Sequence, residues 1–300
     1  MTTYAESDAT TDPFTAFAIG REPGDPTPAM TQLLGTDLTD HRGLIELPAL
    51  TVLFDDLGGL PFFHADPETS SMQARLSMSM LHRPAADDVL RATARLAMSD
   101  AGYGSTTVEI TRGDGAVLCV GTARNVRVGR PIVDATAADD FSLPDPVAPN
   151  TRPVVAPPDP ELSGAEVVAR LIDGTLPLGP IADLLGASVA STADDGTVSV
   201  EFTSEPWMAN LMGTMHGGVI GAMLAQACSF GAQRNVRAHG AYQLIDFTCE
   251  FHRSPVVDGR RVRVEVTPVK LGRRLSIFDA RMYDGEQLLG RATADARYDA

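Results

Sequence analysis

The stretch Asn210 to Ala227, NLMGTMHGGVIGAMLAQA, sets a histidine and two glycines at the head of an apolar helix. Glycines there leave backbone N–H groups uncovered at the positive end of a helix dipole, where negative charge developing on an oxygen can be held. Chemistry on such an oxygen needs a second group within reach, usually a carboxylate acting as base or nucleophile. No acidic residue occurs from Gly217 to Gly231, so this segment supplies half of a site and lacks the acid.

The elements that must position these residues are bounded first by composition. A chain of 300 residues, 44% hydrophobic and 21% charged, is that of a globular protein with room for two domains. Its net charge of -15 argues against nucleic acid or anionic membrane as partner, since both demand clustered Lys and Arg. Cys119, Cys228 and Cys249 form no CxxC pair, so neither disulfides nor a metal site is expected, and they read as reduced core residues. The polar start MTTYAESDATTDP has no signal-peptide pattern, and no run approaches the roughly 20 apolar residues of a membrane span. A cytoplasmic chain without a cofactor is the expectation.

A proline-rich stretch, residues 141–164, reads as a linker and divides the chain into units 14–140 and 165–300. Beyond it, Ser163 can cap a short helix, GTVSVEFTS alternates as a strand, and three further strand-like segments follow the His-Gly-Gly helix, the last folded into a hairpin at Asp284-Gly285. Sliding the chain by 170 residues lays the first unit on this plan. Gly43 falls on Gly213, Gln73 on Gln243, His82-Arg83 on His252-Arg253, and Asp114-Gly115 on Asp284-Gly285. Leu50, Leu53, Phe54 and Leu57 fall on Ile220, Met223, Leu224 and Ala227, preserving an i, i+3, i+4, i+7 stripe. An internal duplication follows, with helices expected over Leu47 to Gly58 and Gly217 to Gly231, packed side by side.

The pattern Asn210-x-x-Gly213-x-x-His216-Gly217-Gly218, with FHRSP and LGRR further on, resembles the PaaI-like hotdog-fold acyl-CoA thioesterases. The resemblance covers most of Leu184 to Tyr298. It implies an α+β fold of two tandem hotdog units, each a long helix wrapped by an antiparallel β-sheet. It also implies an active site between units, with Asn and His-Gly-Gly from one and an acid, nine positions past the histidine equivalent, from the helix of the other. In the second unit that position is Ala225, and in the first it is Asp55.

One composite site would then hold Asp55, Asn210, His216 and Gly217, with Gly218 beside the substrate. The other would hold Asp40, Glu46, Leu47 and Ala225, where Glu46 repels an oxyanion and Pro48 has no N–H to offer. Only the first is expected to work, with Asp55 activating water or attacking directly, and His216 and Asn210 orienting the loop and the carbonyl. Asp56, one residue further round the helix, is expected to matter little. No hydroxyl stands at Ala74 to position water, and Ser71 and Gln73 lie nearby. His82 and His252, at strand ends, read as structural.

The resemblance makes acyl-CoA, or an acyl group on a carrier arm, the substrate. Arg253, Arg273 and Arg274, with Lys270, are the candidate phosphate cations, and Met72, Met78, Met80 or Met212 could line an acyl tunnel. The other reading is a non-catalytic acyl-CoA-binding or sensing protein. A hydratase is disfavoured, because the Asp-x-x-x-x-His pair of such chemistry is missing. Further association into a homo-oligomer is expected.

Overall fold

The computed structural model describes residues 12–21, 29–66, 69–129 and 153–299. The first half contains α1 (Pro13–Ala16), β1 (Ile19–Arg21), β2 (Ala29–Leu33), α2 (Thr51–His64), β3 (Ser71–Met80), β4 (Val89–Ser99), β5 (Tyr103–Arg112) and β6 (Val117–Arg127). The second contains α3 (Gly164–Ile172), α4 (Pro180–Leu184), β7 (Ala187–Thr192), β8 (Val198–Thr203), α5 (Gly217–Arg234), β9 (Ala241–Phe251), β10 (Arg261–Lys270), β11 (Leu275–Asp284) and β12 (Gln287–Asp299). Residues 141–152 of the expected linker lie outside the described residues, and its last residue, Gly164, opens α3 under a capping box made by Ser163 and Glu166.

The twelve strands form one sheet in the order β1-β2-β4-β5-β6-β3-β9-β12-β11-β10-β8-β7. Read from either edge inward, the two halves use their strands in the same order, and β3 meets β9 at the centre. All pairings are antiparallel, and the hairpins turn at Gly115 and Gly285, both at positive φ. The alternation that makes these strands is plain in β10, where Val262, Val264 and Val266 are buried while Arg261, Arg263 and Thr267 face out.

Inside the sheet lie α2 and α5, packed directly on each other. Both are buried nearly all round, as befits helices wrapped on every side. The expected bounds shift: Leu47–Leu50 is a 3-10 turn with Pro48 as its second residue, the α-helix runs Thr51–His64, and α5 continues to Arg234. Pro61 is accommodated in the last turn of α2. Among the described residues no helix is long and apolar enough to cross a membrane.

The helices meet most closely where α5 begins. A Cβ on Gly218 would lie 2.5 Å from the Val52 Cα and 3.0 Å from the Thr51 carbonyl, both backbone atoms that cannot turn aside. Gly218→Ala should therefore lower stability by roughly 1–3 kcal/mol, read as a fall in denaturation midpoint. An unchanged midpoint would show that the helices are not held at this distance.

Candidate active site

His216 closes an extended segment and caps α5, its Nδ1 lying 3.0 Å from the Gly218 N–H. That N–H donates at a shorter distance, 2.7 Å, to Asp55 Oδ2 on α2. Asp55 Oδ2 is in turn 3.2 Å from His216 Nδ1, and Asp56 Oδ1 is 3.0 Å from Nε2. The imidazole thus stands between two carboxylates contributed by the other half of the chain.

Burial disfavours a charged ring here, but Asp56, through charge and hydrogen bond, and then Asp55 outweigh it and hold the His216 pKa up at about 9. The imidazolium also fits the distances: Nε2–H donates to Asp56, Nδ1–H to Asp55, and the Gly218 N–H is left to its shorter bond with Asp55. Burial pushes Asp55 up to about 7, against the pull of His216 and with a further push from Asp56. Its Oδ1 is buried and has no hydrogen-bond partner among the described residues.

These groups open onto a cavity of about 390 Å³. Gly217 lines it, and its N–H has no bonded partner among the described residues, so one donor remains uncovered. A Cβ there would sit 2.8 Å from Asp55 Oδ2 and 3.0 Å from Oδ1, so only glycine lets the carboxylate approach. Leu60, Phe63, Met72, Met212 and Phe251 form apolar wall, and Phe14 of α1 lies edge-on to His216 with ring centroids 6.4 Å apart.

The structure brings together Asp55, Asn210, His216, Gly217 and Gly218, but distributes their work differently from expectation. Gly218 does not line the cavity; it binds Asp55. Asn210 Oδ1 accepts from the Met212 and Thr214 N–H groups, making a turn with Gly213 at positive φ, and the residue lines the cavity. Asp56, expected to matter little, is a direct partner of His216. Met72 and Met212 line the cavity, whereas Met78 and Met80 are core, and Ser71 and Gln73 are cavity residues. Arg253 is exposed and donates to the Gln287 amide oxygen at 3.0 and 3.1 Å. Arg273 and Arg274 lie beyond the far end of β10, where the Arg274 carbonyl accepts from the Tyr298 N–H beside Tyr242. They are not brought to the cavity. Phe14 escaped the sequence reading; an Asp12-Pro13 helix start was its only local signal.

The related position in the other half has the same loop with different contents. Asp40 Oδ1 accepts from the Arg42 and Leu44 N–H groups as Asn210 does from Met212 and Thr214, and Gly43 matches Gly213 in φ. Where the cavity side has Met212, however, this side has Arg42, whose guanidinium binds Asp40 at 2.5 Å and Glu46 at 2.9 Å and lies 3.7 Å over the Tyr242 ring. Arg83 also binds Glu46 and donates to the Tyr242 carbonyl at 2.8 Å. Glu46 is therefore not the bare repelling charge expected; it is neutralised within a filled site. The nearby arginine depresses the Asp40 pKa despite burial.

Because it strands buried Asp40 and leaves Glu46 to Arg83 alone, Arg42→Ala should cost roughly 3–5 kcal/mol in unfolding experiments and leave turnover of the folded fraction unchanged; a silent substitution would mean the cluster does not hold this side closed. Glu46→Gln takes from Arg83 the carboxylate it binds and should also lower stability, although Arg42 keeps Asp40. The rate of any reaction needing Asp55 ionised and His216 protonated should rise with pH through about 7 and fall through about 9. The stabilisation that His216 gains by protonation is complete below about 6.5 and lost through about 9. Asp56→Asn should draw the alkaline limb to lower pH, and an unmoved limb would deny Asp56 its part.

Residues 212–291 match the model of the thioesterase superfamily. No curated protein sequence matches the chain. Among solved structures, a hot dog fold protein from Alicyclobacillus acidocaldarius has a TM-score of 0.61 at 11% identity, covering 96% of this chain and 98% of its own. A provisionally assigned thioesterase from Novosphingobium aromaticivorans has 0.59 at 14%, covering 94% and 99%. A provisionally assigned oleoyl thioesterase from Lactobacillus plantarum has 0.56 at 12%, covering 90% and 95%. The chain has the hotdog fold, and its segment 212–291 is similar to the thioesterase superfamily.

Proposed function

We propose that this protein hydrolyses the thioester of an acyl or aryl group carried by coenzyme A or a similar arm, using one composite site shared by two tandem hotdog units. The observation that carries this reading is the Asp55 carboxylate on the first turn of α5, 2.7 Å from the Gly218 N–H and beside the uncovered Gly217 N–H. A thioester carbonyl placed in the cavity would direct its oxygen to Gly217, where the N–H and helix dipole stabilise the charge formed on attack. Asp55, with Oδ1 unpartnered, takes a proton from water as the water oxygen adds to the carbonyl carbon. The C–S bond then breaks, and the proton passes to the departing sulfur. Direct attack by Asp55, followed by hydrolysis of the resulting anhydride, uses the same geometry. His216, held by Asp56, keeps Asp55 in position and its charge balanced.

Asp55→Asn and His216→Ala should each reduce thiol release from a panel of short, medium, long and aromatic acyl-CoAs by about 100-fold or more, with unchanged circular dichroism. Full activity in Asp55→Asn would overturn the shared site. Saturable binding of acyl-CoA by the wild type without thiol release would instead make this a binding or sensing protein.

A further inference from the structure

The seam between the two halves of the sheet is paired only over Arg75–Ser79 and Asp246–Glu250. Beyond Arg75, β3 bulges between Gln73 and Arg75 and is joined to β6 alone, while β9 runs on to Phe251 beside β12. The sheet therefore parts at this end. On its inner side Ser71, Met72, Gln73 and Phe251 line the reaction cavity; on its outer side Ala74, Arg75, Phe251 and His252 line a groove of about 650 Å³. Asn125 and Phe251 border both.

The groove is built differently from the rest of this acidic surface. Tyr103 is 68% exposed and Met98 70% exposed along it, offering an aromatic and an apolar face to solvent. Arg124 is exposed there with no bonded partner among the described residues, close to Arg75 and His252. The two carboxylates present are engaged: Glu250 pairs with Arg75, and Asp100 accepts from the Gly102 and Tyr103 N–H groups. At the opposite end of the seam the related opening is shut, because Gln243 donates to the Met80 and Leu81 carbonyls and Arg83 to that of Tyr242.

Resting on the thioesterase reading, we infer that this groove binds the phosphorylated, base-bearing end of the leaving thiol, with the base on Tyr103 and phosphate on Arg124 and Arg75. The thiol arm passes through the parting of β3 and β9 to reach Gly217 and Asp55. The preferred substrate is thus a nucleotide-bearing thioester such as a CoA ester. An acyl group on a carrier protein, whose arm bears no nucleotide, is disfavoured.

Adenosine 3′,5′-bisphosphate is the probe, titrated calorimetrically into the full chain. Wild type should bind it, Tyr103→Ala and Arg124→Glu should each weaken binding about tenfold, and Arg281→Ala, on the outer face of β11, should not. In steady state the first two variants should raise KM for an acyl-CoA about tenfold and leave that for the matching N-acetylcysteamine thioester unchanged. Absence of bisphosphate binding, or equal KM changes for both thioesters, would overturn the assignment. Wild-type thiol release separates the two claims: its absence from both thioesters defeats the thioesterase reading, while its presence without bisphosphate binding defeats only this groove.

Discussion

The contact of the Asp55 carboxylate with the first turn of α5 is the interaction on which the rest depends. It requires two central helices close enough for a side chain of one to reach a backbone N–H of the other, and both glycines serve that approach. Gly218 lets the backbones meet, and Gly217 leaves room for the carboxylate. A buried acid so placed needs compensation, which the helix N-terminus and His216 supply.

The same scaffold, used a second time in the chain, shows what an opened and a closed site have in common. Both loops make the same turn, with Asn210 or Asp40 accepting two backbone N–H groups and a glycine at positive φ. Their divergence begins with the residue two positions on. Met212 leaves a cavity, while Arg42 fills one and draws two carboxylates, a second arginine and Tyr242 around it. Such a cluster keeps its charges balanced in the interior, where an unpaired one would be costly. One side thus keeps an open cavity, and the other is filled by an ion cluster.

Much of this was legible in the sequence because it rests on local periodicity and spacing. The acid position that the hotdog resemblance implies, carried across by the 170-residue register, pointed to Asp55 as the partner of His216, and the Asp-Gly pairs marked the hairpins that the structure contains. What escaped depends on geometry between distant segments. Asp56 was judged by helix angle relative to its own stripe, yet a long imidazole bridging two adjacent residues reaches both. Arg273 and Arg274 were chosen as basic residues at a strand end, but β10 carries them to the opposite end of the sheet. Phe14, remote in sequence, arrives over His216 only once the fold is complete.

The central claim is that one chain holds one working site made from both halves. It is tested most directly by the stoichiometry with which a non-hydrolysable thioether analogue of an acyl-CoA binds, measured by calorimetry on wild type and on Asp55→Asn. The account predicts a single equivalent per chain, with binding perturbed in the variant. Two equivalents, or one equivalent indifferent to Asp55, would contradict it.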